Sequence, residues 1–266
     1  MARSLRGNPR SRIDQLVLDP LGPLHREPDR LLLEEVPSAL EVRPVLDAIG
    51  AGAHKVSEIA GRIGFSATSM SRPLDRLIGL GLVRREVPFG ELEKKSRRSL
   101  YKIDDPFFRL WFRVVAPHRA QLAAGSRRAR DQLLGRYWNG LAAGAWEDFC
   151  RRRVPKASSS ADLGKRGPWG PASRWWKGAT LEWDLLSESV DGQRLLLGEV
   201  KWSRRPLGSK ELERASRALI AKPLPELPKR FSERQFVKAL FVPEAVSNYR
   251  SADSTVLIVT ASHLMR

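Results

Sequence analysis

The chain has 266 residues, 42% of them hydrophobic, and a formal net charge of +17 at pH 7. That length allows one large domain or two small ones, and the lone Cys150 excludes a disulfide framework and a cysteine-rich zinc site. No apolar run approaches ~18 residues and no signal peptide is found, so a cytoplasmic protein with no membrane partner is expected. The positive excess is +6 over residues 1–120 and +11 over 121–266, so it is not a basic tail. A field of that kind favours nucleic acid or another polyanion as partner; an arginine-rich coding background is the plainer alternative.

Residues 1–36 read as an N-terminal arm, mobile over 1–15, and a Pro-punctuated connector ending in a short apolar helix. Residues 37–105 have helix-turn-helix grammar. A helix ends at Gly50, a second runs over Val56–Ile63, Gly64-Phe65 makes the turn, and a third runs from Ser66 to Gly79. Met70, Leu74, Leu77 and Ile78 recur at helical spacing and define its buried face. The opposite face carries Thr68, Ser69, Arg72 and Arg76, residue types suited to phosphates and base edges. Pro73 lies inside this helix and is expected to kink it. Strands over 81–85 and 99–103 then flank a loop with Lys94, Lys95, Arg97 and Arg98. The whole reads as a winged helix, its basic wing lying where a phosphate backbone would pass. A protein-interaction or spacer module with a merely solvated wing is the competing reading.

Residues 106–135 form a helical linker. Its first part holds Phe107, Phe108, Leu110, Trp111 and Val114 around most of a helix, the pattern of a segment buried between elements. Residues 136–266 open with a helix over 138–154 in which Ala143, Glu147, Cys150 and Val154 share one side, so Glu147 is an acid in line with apolar neighbours. A loop follows to 173, then strands, a helix over 207–219, strands at 236–242 and 256–259, and a possible short helix at 261–266. The fold class is therefore α/β (α+β), with a central mixed sheet flanked by helices.

The most informative stretch is Leu181–Trp202, LEWDLLSESVDGQRLLLGEVKW. Asp191-Gly192 between apolar runs predicts a type I′ hairpin turn. With those residues as the loop, cross-strand partners have numbers summing to 383. Asp184 then faces Glu199, and Glu182 faces Lys201. Directly opposed residues share a face, as do residues two apart on one strand. One register thus gathers Asp184, Glu199 and Lys201, which could hold Mg²⁺ (or Mn²⁺) and position a water. A surface ion pair of Lys201 with Glu182 or Glu199 is the plain alternative.

An acid in the first helix, then Asp on a strand and Glu-x-Lys on the next, resembles the restriction-endonuclease-like nucleases with a PD-(D/E)xK site. The residues here are Glu147, Glu182-Trp183-Asp184 and Gly198-Glu199-Val200-Lys201-Trp202. The resemblance implies that Asp184 and Glu199 bind the metal with the Val200 carbonyl. It implies that Lys201 orients or deprotonates the attacking water and that Glu147 supports the metal shell. Residues from about 18 onward also resemble the C-terminal region of an archaeal and bacterial AAA-type ATPase family, a winged helix followed by a nuclease-like domain. The connector ending LLLEEV, the YKIDDPFF junction, Trp111-Phe112, Arg174-Trp175-Trp176 and the Glu-Val-Lys-Trp strand carry that likeness. No Gly-x-x-x-x-Gly-Lys-Ser/Thr occurs, so ATP hydrolysis is not carried over; the chain is a stand-alone or truncated member, or the ATPase is a partner in trans. Two functions stand open. One is a Mg²⁺-dependent nuclease acting on double-stranded DNA. The other is a non-catalytic DNA-binding or regulatory module related to, or partnering, a P-loop ATPase.

Overall fold

The computed structural model describes residues 8–36, 39–93, 96, 98–158, 161–178, 181–246 and 255–265. The chain divides into two compact units, Met1–Glu86 with Ser99–Leu141, and Val87–Arg98 with Ala142–Arg266. It is a mixed α/β protein with a two-stranded and a five-stranded sheet. Among the described residues no helix is long and apolar enough to cross a membrane.

The first unit begins with α1 (Pro9–Ile13) and a wide helical turn over Asp14–Leu18. Residues 9–15 of the expected mobile arm are thus helical. Two forces fix it: Val17 and Leu18 enter the core, and buried Asp14 accepts from Arg130 at 2.8 Å. Next come α2 (Glu27–Glu35), α3 (Ala39–Gly50), α4 (Val56–Ile63) and α5 (Ser71–Gly79). Gly64 ends α4 at φ 73°, the left-handed conformation that glycine adopts without penalty. The expected helix over 66–79 is divided. A tight turn over Ala67–Met70 precedes α5, so Pro73 falls in the first turn of α5, where its missing N–H removes no bond of that helix. Strands β1 (Val83–Glu86) and β2 (Leu100–Ile103) pair antiparallel, Val83 opposite Ile103.

The aromatic segment forms α6 (Pro106–Leu110) and runs on through a wide turn over Trp111–Val115. Phe108, Trp111, Phe112, Val114 and Val115 are buried as their distribution around the helix requires. The guanidinium groups of Arg43 and Arg119 lie 5.0 and 4.8 Å from the Trp111 ring. The indole N–H donates to the His25 carbonyl at 2.7 Å. After α7 (Arg119–Ala124), a single helix, α8 (Arg127–Arg153), replaces the two expected on either side of residue 135. No proline interrupts that span, and its glycines do not stop it.

The second unit includes the segment between β1 and β2. Phe89 N–H donates to Arg174 O at 2.7 Å, and the Phe89 ring lies 5.3 Å from that of Phe231. After α9 (Asp162–Lys165) come β3 (Ser173–Lys177), β4 (Leu181–Glu188), β5 (Arg194–Val200), α10 (Ser209–Ala221), β6 (Gln235–Val242), β7 (Val256–Thr260) and α11 (Ala261–Met265). The sheet order is β3-β4-β5-β6-β7. The first two pairings are antiparallel and the last two parallel. Arg174-Trp175-Trp176 lies in β3, an edge strand of this sheet. The apolar run of β5 lies at the centre, with Leu195, Leu196 and Leu197 fully buried, as a strand covered on both faces must be. Leu196, Ala239 and Phe241 meet Cys150 and Val154 of α8. Leu195, Leu197 and Leu240 meet Leu212 and Leu219 of α10.

The β4–β5 hairpin has the expected register, Leu185 opposite Gly198 and Leu186 opposite Leu197. Its turn differs. Asp191 does not have positive φ, so a type I′ turn is not made. Ser189 pairs with Arg194 across a longer loop, in which Gly192 alone has positive φ. Both loops are centred on the same point, so the register is unchanged.

Gly198 is a close-approach position. A Cβ there would meet Phe241 at 2.8 Å and Leu185 at 3.1 Å. Gly198→Ala should destabilise the protein by about 1–3 kcal/mol through overpacking, measured as a lowered urea midpoint with an unchanged slope.

Candidate active site

Asp184 sits where β4 changes partners. The β4–β5 ladder ends at Leu185–Gly198, while Trp183, Glu182 and Leu181 pair only with β3. The β3–β4 register shifts between Ser173 and Trp175, opposite this point. Irregularities of this kind re-aim side chains. Leu185 faces the α8 side, yet Trp183, two residues away, packs on the α10 side. Simple alternation is thus broken across Asp184. Its Oδ2 accepts the Val200 N–H at 2.8 Å, a carboxylate standing where a strand carbonyl would otherwise stand.

β5 continues past this point beside β6, with Val200 opposite Phe241 and Lys201 N–H donating to Phe241 O at 2.8 Å. Glu199 and Lys201 therefore project from the C-terminal end of a parallel strand pair, where open α/β sheets form ligand crevices. Lys201 Nζ donates to Glu199 Oε1 at 2.8 Å. Glu182 does not join Lys201; it pairs with Arg174 of β3. The plain surface-pair reading is thus met in part, by Glu199 with Lys201.

Two residues that the sequence did not single out complete the cluster. Lys222, at the end of α10, donates to Glu199 Oε2 at 2.5 Å. Arg151, buried on α8, donates to the Asp184 carbonyl at 2.8 Å and to Asp148 at 2.7 Å, and lies 3.6 Å from Glu147. Arg151 had a readable signal, three and four residues after two acids on one helix. Lys222 had none, being far along the chain from the motif. Glu147 is half-buried, and its charge is felt by Asp184.

The electrostatics are uneven. Burial first, then the neighbouring Glu199 charge, pushes the Asp184 carboxyl up to about 6; the Val200 N–H opposes this. Burial acts on Glu199 in the same sense, but hydrogen bonds from Lys201 and Lys222 outweigh it and hold Glu199 below the usual carboxylate range. Burial drives the Cys150 thiol well up, which removes it as a nucleophile.

A hard divalent cation suits this donor set in part. The acids offer only oxygen, and Mg²⁺ is commonly held by one or two carboxylates with waters completing the shell. Asp184 is a half-buried acid disfavoured as an anion by the neighbouring Glu199 charge, which a cation would relieve. Among the described residues, however, no group of three or more His, Cys, Asp or Glu side chains is placed to hold an ion. The donor chemistry here is thus that of two carboxylates, Asp184 and Glu199, and not of an all-protein cage.

The other expected contact residues belong to the first unit or to the segment between β1 and β2. Thr68, Ser69 and Arg72 are exposed around the start of α5, and Arg76 is half-buried. Ser69 Oγ donates to Ser66 O at 2.7 Å. Lys94, Lys95 and Arg97 lie outside the described residues. Arg98 donates to Trp176 O at 2.8 Å and pairs with Glu91, so its charge is engaged within the second unit.

The family model for archaeal and bacterial proteins of unknown function, DUF234, matches residues 111–216. That span holds Glu147, Asp184, Glu199 and Lys201, and ends before Lys222. An uncharacterized protein of Methanocaldococcus jannaschii is 25% identical over 205 residues, 75% of this chain and 44% of the relative. The chain thus spans less than half of that curated relative. No solved structure matches significantly.

Asp184 has a consequence for stability. Its carboxyl titrates near 6 in the fold against an ordinary 3.8. A raised value contributes stability that is complete below about 4 and lost as pH rises through about 6. Without divalent cations, the wild type should lose about 3 kcal/mol across that window relative to Asp184→Asn. Urea unfolding of both proteins between pH 4 and 7 checks this.

Proposed function

We propose that the chain binds double-stranded DNA through a winged helix-turn-helix formed by α3, α4, α5, β1 and β2. We further propose that its second unit is a restriction-endonuclease-like domain with a Mg²⁺-dependent (or Mn²⁺-dependent) phosphodiesterase site of the PD-(D/E)xK type. The observation that carries the reading is Asp184 held by the Val200 N–H beyond the end of the β4–β5 ladder and within the field of Glu199, with Lys201 on the same Glu199. Asp184 and Glu199 would hold the ion, with the Val200 carbonyl as a further oxygen. A bound Mg²⁺ polarises a scissile phosphate and lowers the pKa of a coordinated water. Asp184 keeps its aim through the Val200 N–H and the Arg151 clamp on its own carbonyl. Lys201 brings an ammonium to the phosphate oxygens that gain charge and orients the attacking water. Glu147 restrains Arg151 and adds negative charge to the rim.

A second reading is supported by a separate observation. Both Glu199 oxygens already have ammonium partners, so the domain could be inert toward phosphodiesters. The chain would then be a DNA-binding or regulatory module that partners an ATPase in trans.

Incubation with plasmid, linear duplex, single-stranded DNA and RNA, with Mg²⁺, Mn²⁺ or EDTA, separates the readings. On the first, duplex DNA is cut only with metal, and Asp184→Ala and Lys201→Ala each slow cutting by about 10²-fold or more. Cutting that survives both substitutions sinks the mechanism. Binding without cutting selects the second reading.

On either reading, Arg72→Ala and Arg76→Ala should weaken duplex binding. Each should lower the slope of log K against log salt by about one per lost phosphate contact. Fluorescence anisotropy at several salt concentrations measures it. Unchanged slopes would remove α5 as the DNA-facing helix.

A further inference from the structure

The two ammonium groups on Glu199 are not equivalent. Lys201 meets Oε1 and its side chain is 50% exposed, whereas Lys222 meets Oε2 and is only 21% exposed. The Lys222 ammonium also lies 4.7 Å from the ring of fully buried Trp183, a cation–π arrangement that gains strength as water is excluded. The backbone around it is pinned. Trp183 Nε1 donates to the carbonyl of the next residue, Pro223, at 3.2 Å. One turn earlier, Lys238 Nζ donates to Leu219 O at 3.1 Å and Ile220 O at 2.7 Å, satisfying carbonyls that a helix end leaves open. Lys222 is thus fixed from two sides with its charge turned toward Glu199, and that charge is also felt at Asp184. Lys201, by contrast, can leave for solvent at little cost.

We propose that Lys222 is the resident cation of this site: it holds Glu199 Oε2 on the side from which a divalent ion would bind, so that ion and ammonium compete for one carboxylate. This rests on reading Asp184 and Glu199 as metal ligands. One partly buried ammonium offsets the repulsion between the two acids, since Lys222 meets Glu199 directly and its charge reaches Asp184. The competition also gives Lys222 a second place to go. Once displaced, the ammonium lies within a side chain's reach of whatever anion the site receives, and a phosphodiester oxygen is the partner its charge would meet. Lys222 is accordingly a positioning residue before loading.

Mn²⁺ affinity, measured by calorimetry without nucleic acid, tests the competition in the full chain. Lys222→Met and Lys222→Gln should each bind Mn²⁺ about ten-fold more tightly than wild type, the effect of removing one partly screened like charge beside the ion. Lys222→Arg should stay close to wild type. Equal or weaker binding by the neutral variants, with Asp184→Asn abolishing binding, overturns the competition and leaves the metal site standing. No binding by wild type or by the neutral variants overturns the metal site and this inference together. In wild type, NMR of the lysine ammonium groups gives a readout independent of any substitution. Saturating Mg²⁺ should move the Lys222 Nζ resonance and speed its exchange with water. A Lys222 signal unaffected by an ion that demonstrably binds also overturns the inference.

Discussion

The hydrogen bond from Val200 N–H to Asp184 Oδ2 holds β4 and β5 together where their ladder stops. A strand that leaves its neighbour exposes backbone donors, and a buried donor left unpaired costs about 1–3 kcal/mol. Here β5 parts from β4 after Gly198 while remaining paired to β6. The carboxylate of Asp184 fills the resulting gap. The same bond that satisfies the backbone therefore fixes the direction of the acid. It ties the α8 side, through Arg151 on the Asp184 carbonyl, to the α10 side, through Glu199 and Lys222.

Around that bond, opposite charges are kept in close balance. Asp184 is disfavoured as an anion by burial and by Glu199. Glu199 is favoured as an anion because two ammonium groups reach it. Neighbouring acids pushed in opposite directions are a recurring signature of sites that bind ions or move protons. Structural ion-pair networks also perturb titration, and the network here includes such pairs, for example Arg151 with Asp148. What distinguishes the cluster is its place at the C-terminal end of β5, next to a break in the ladder.

Much of this was legible in the residues. The 383 register follows from where the turn is centred, and it held although the turn itself is longer than Asp-Gly suggests. The apolar Leu195–Leu197 run and the amphipathic helix after it pointed to the mixed α/β class and to a central mixed sheet. Three features were not legible, for identifiable reasons. The ordering of residues 8–18 depends on Asp14 meeting Arg130, a contact between distant parts of the chain that no local pattern announces. The β3 edge strand was hidden because Ser173–Lys177 is only five residues long, with Trp175 alone buried, too short a run to show alternation. Lys222 joins the site only through the return of α10 along the sheet. Local periodicity reports on faces, and a site assembled from separate elements needs the tertiary fold. Pro73 was read as a kink because the helix start was placed five residues too early.

The segment Val87–Arg98 lies between two strands of the first unit yet packs with the second. The chain therefore passes from one unit to the other at Glu86–Val87, again at Arg98–Ser99 and a third time at Leu141–Ala142. Two modules joined by one linker can be separated by one cut, but these cannot. A fragment starting at residue 106 or 136 would lose Phe89 from against Phe231 and Arg98 from the Trp176 carbonyl, baring an apolar patch on the sheet-bearing unit. The gene for such a protein cannot be shuffled at one junction without damage to the half it keeps.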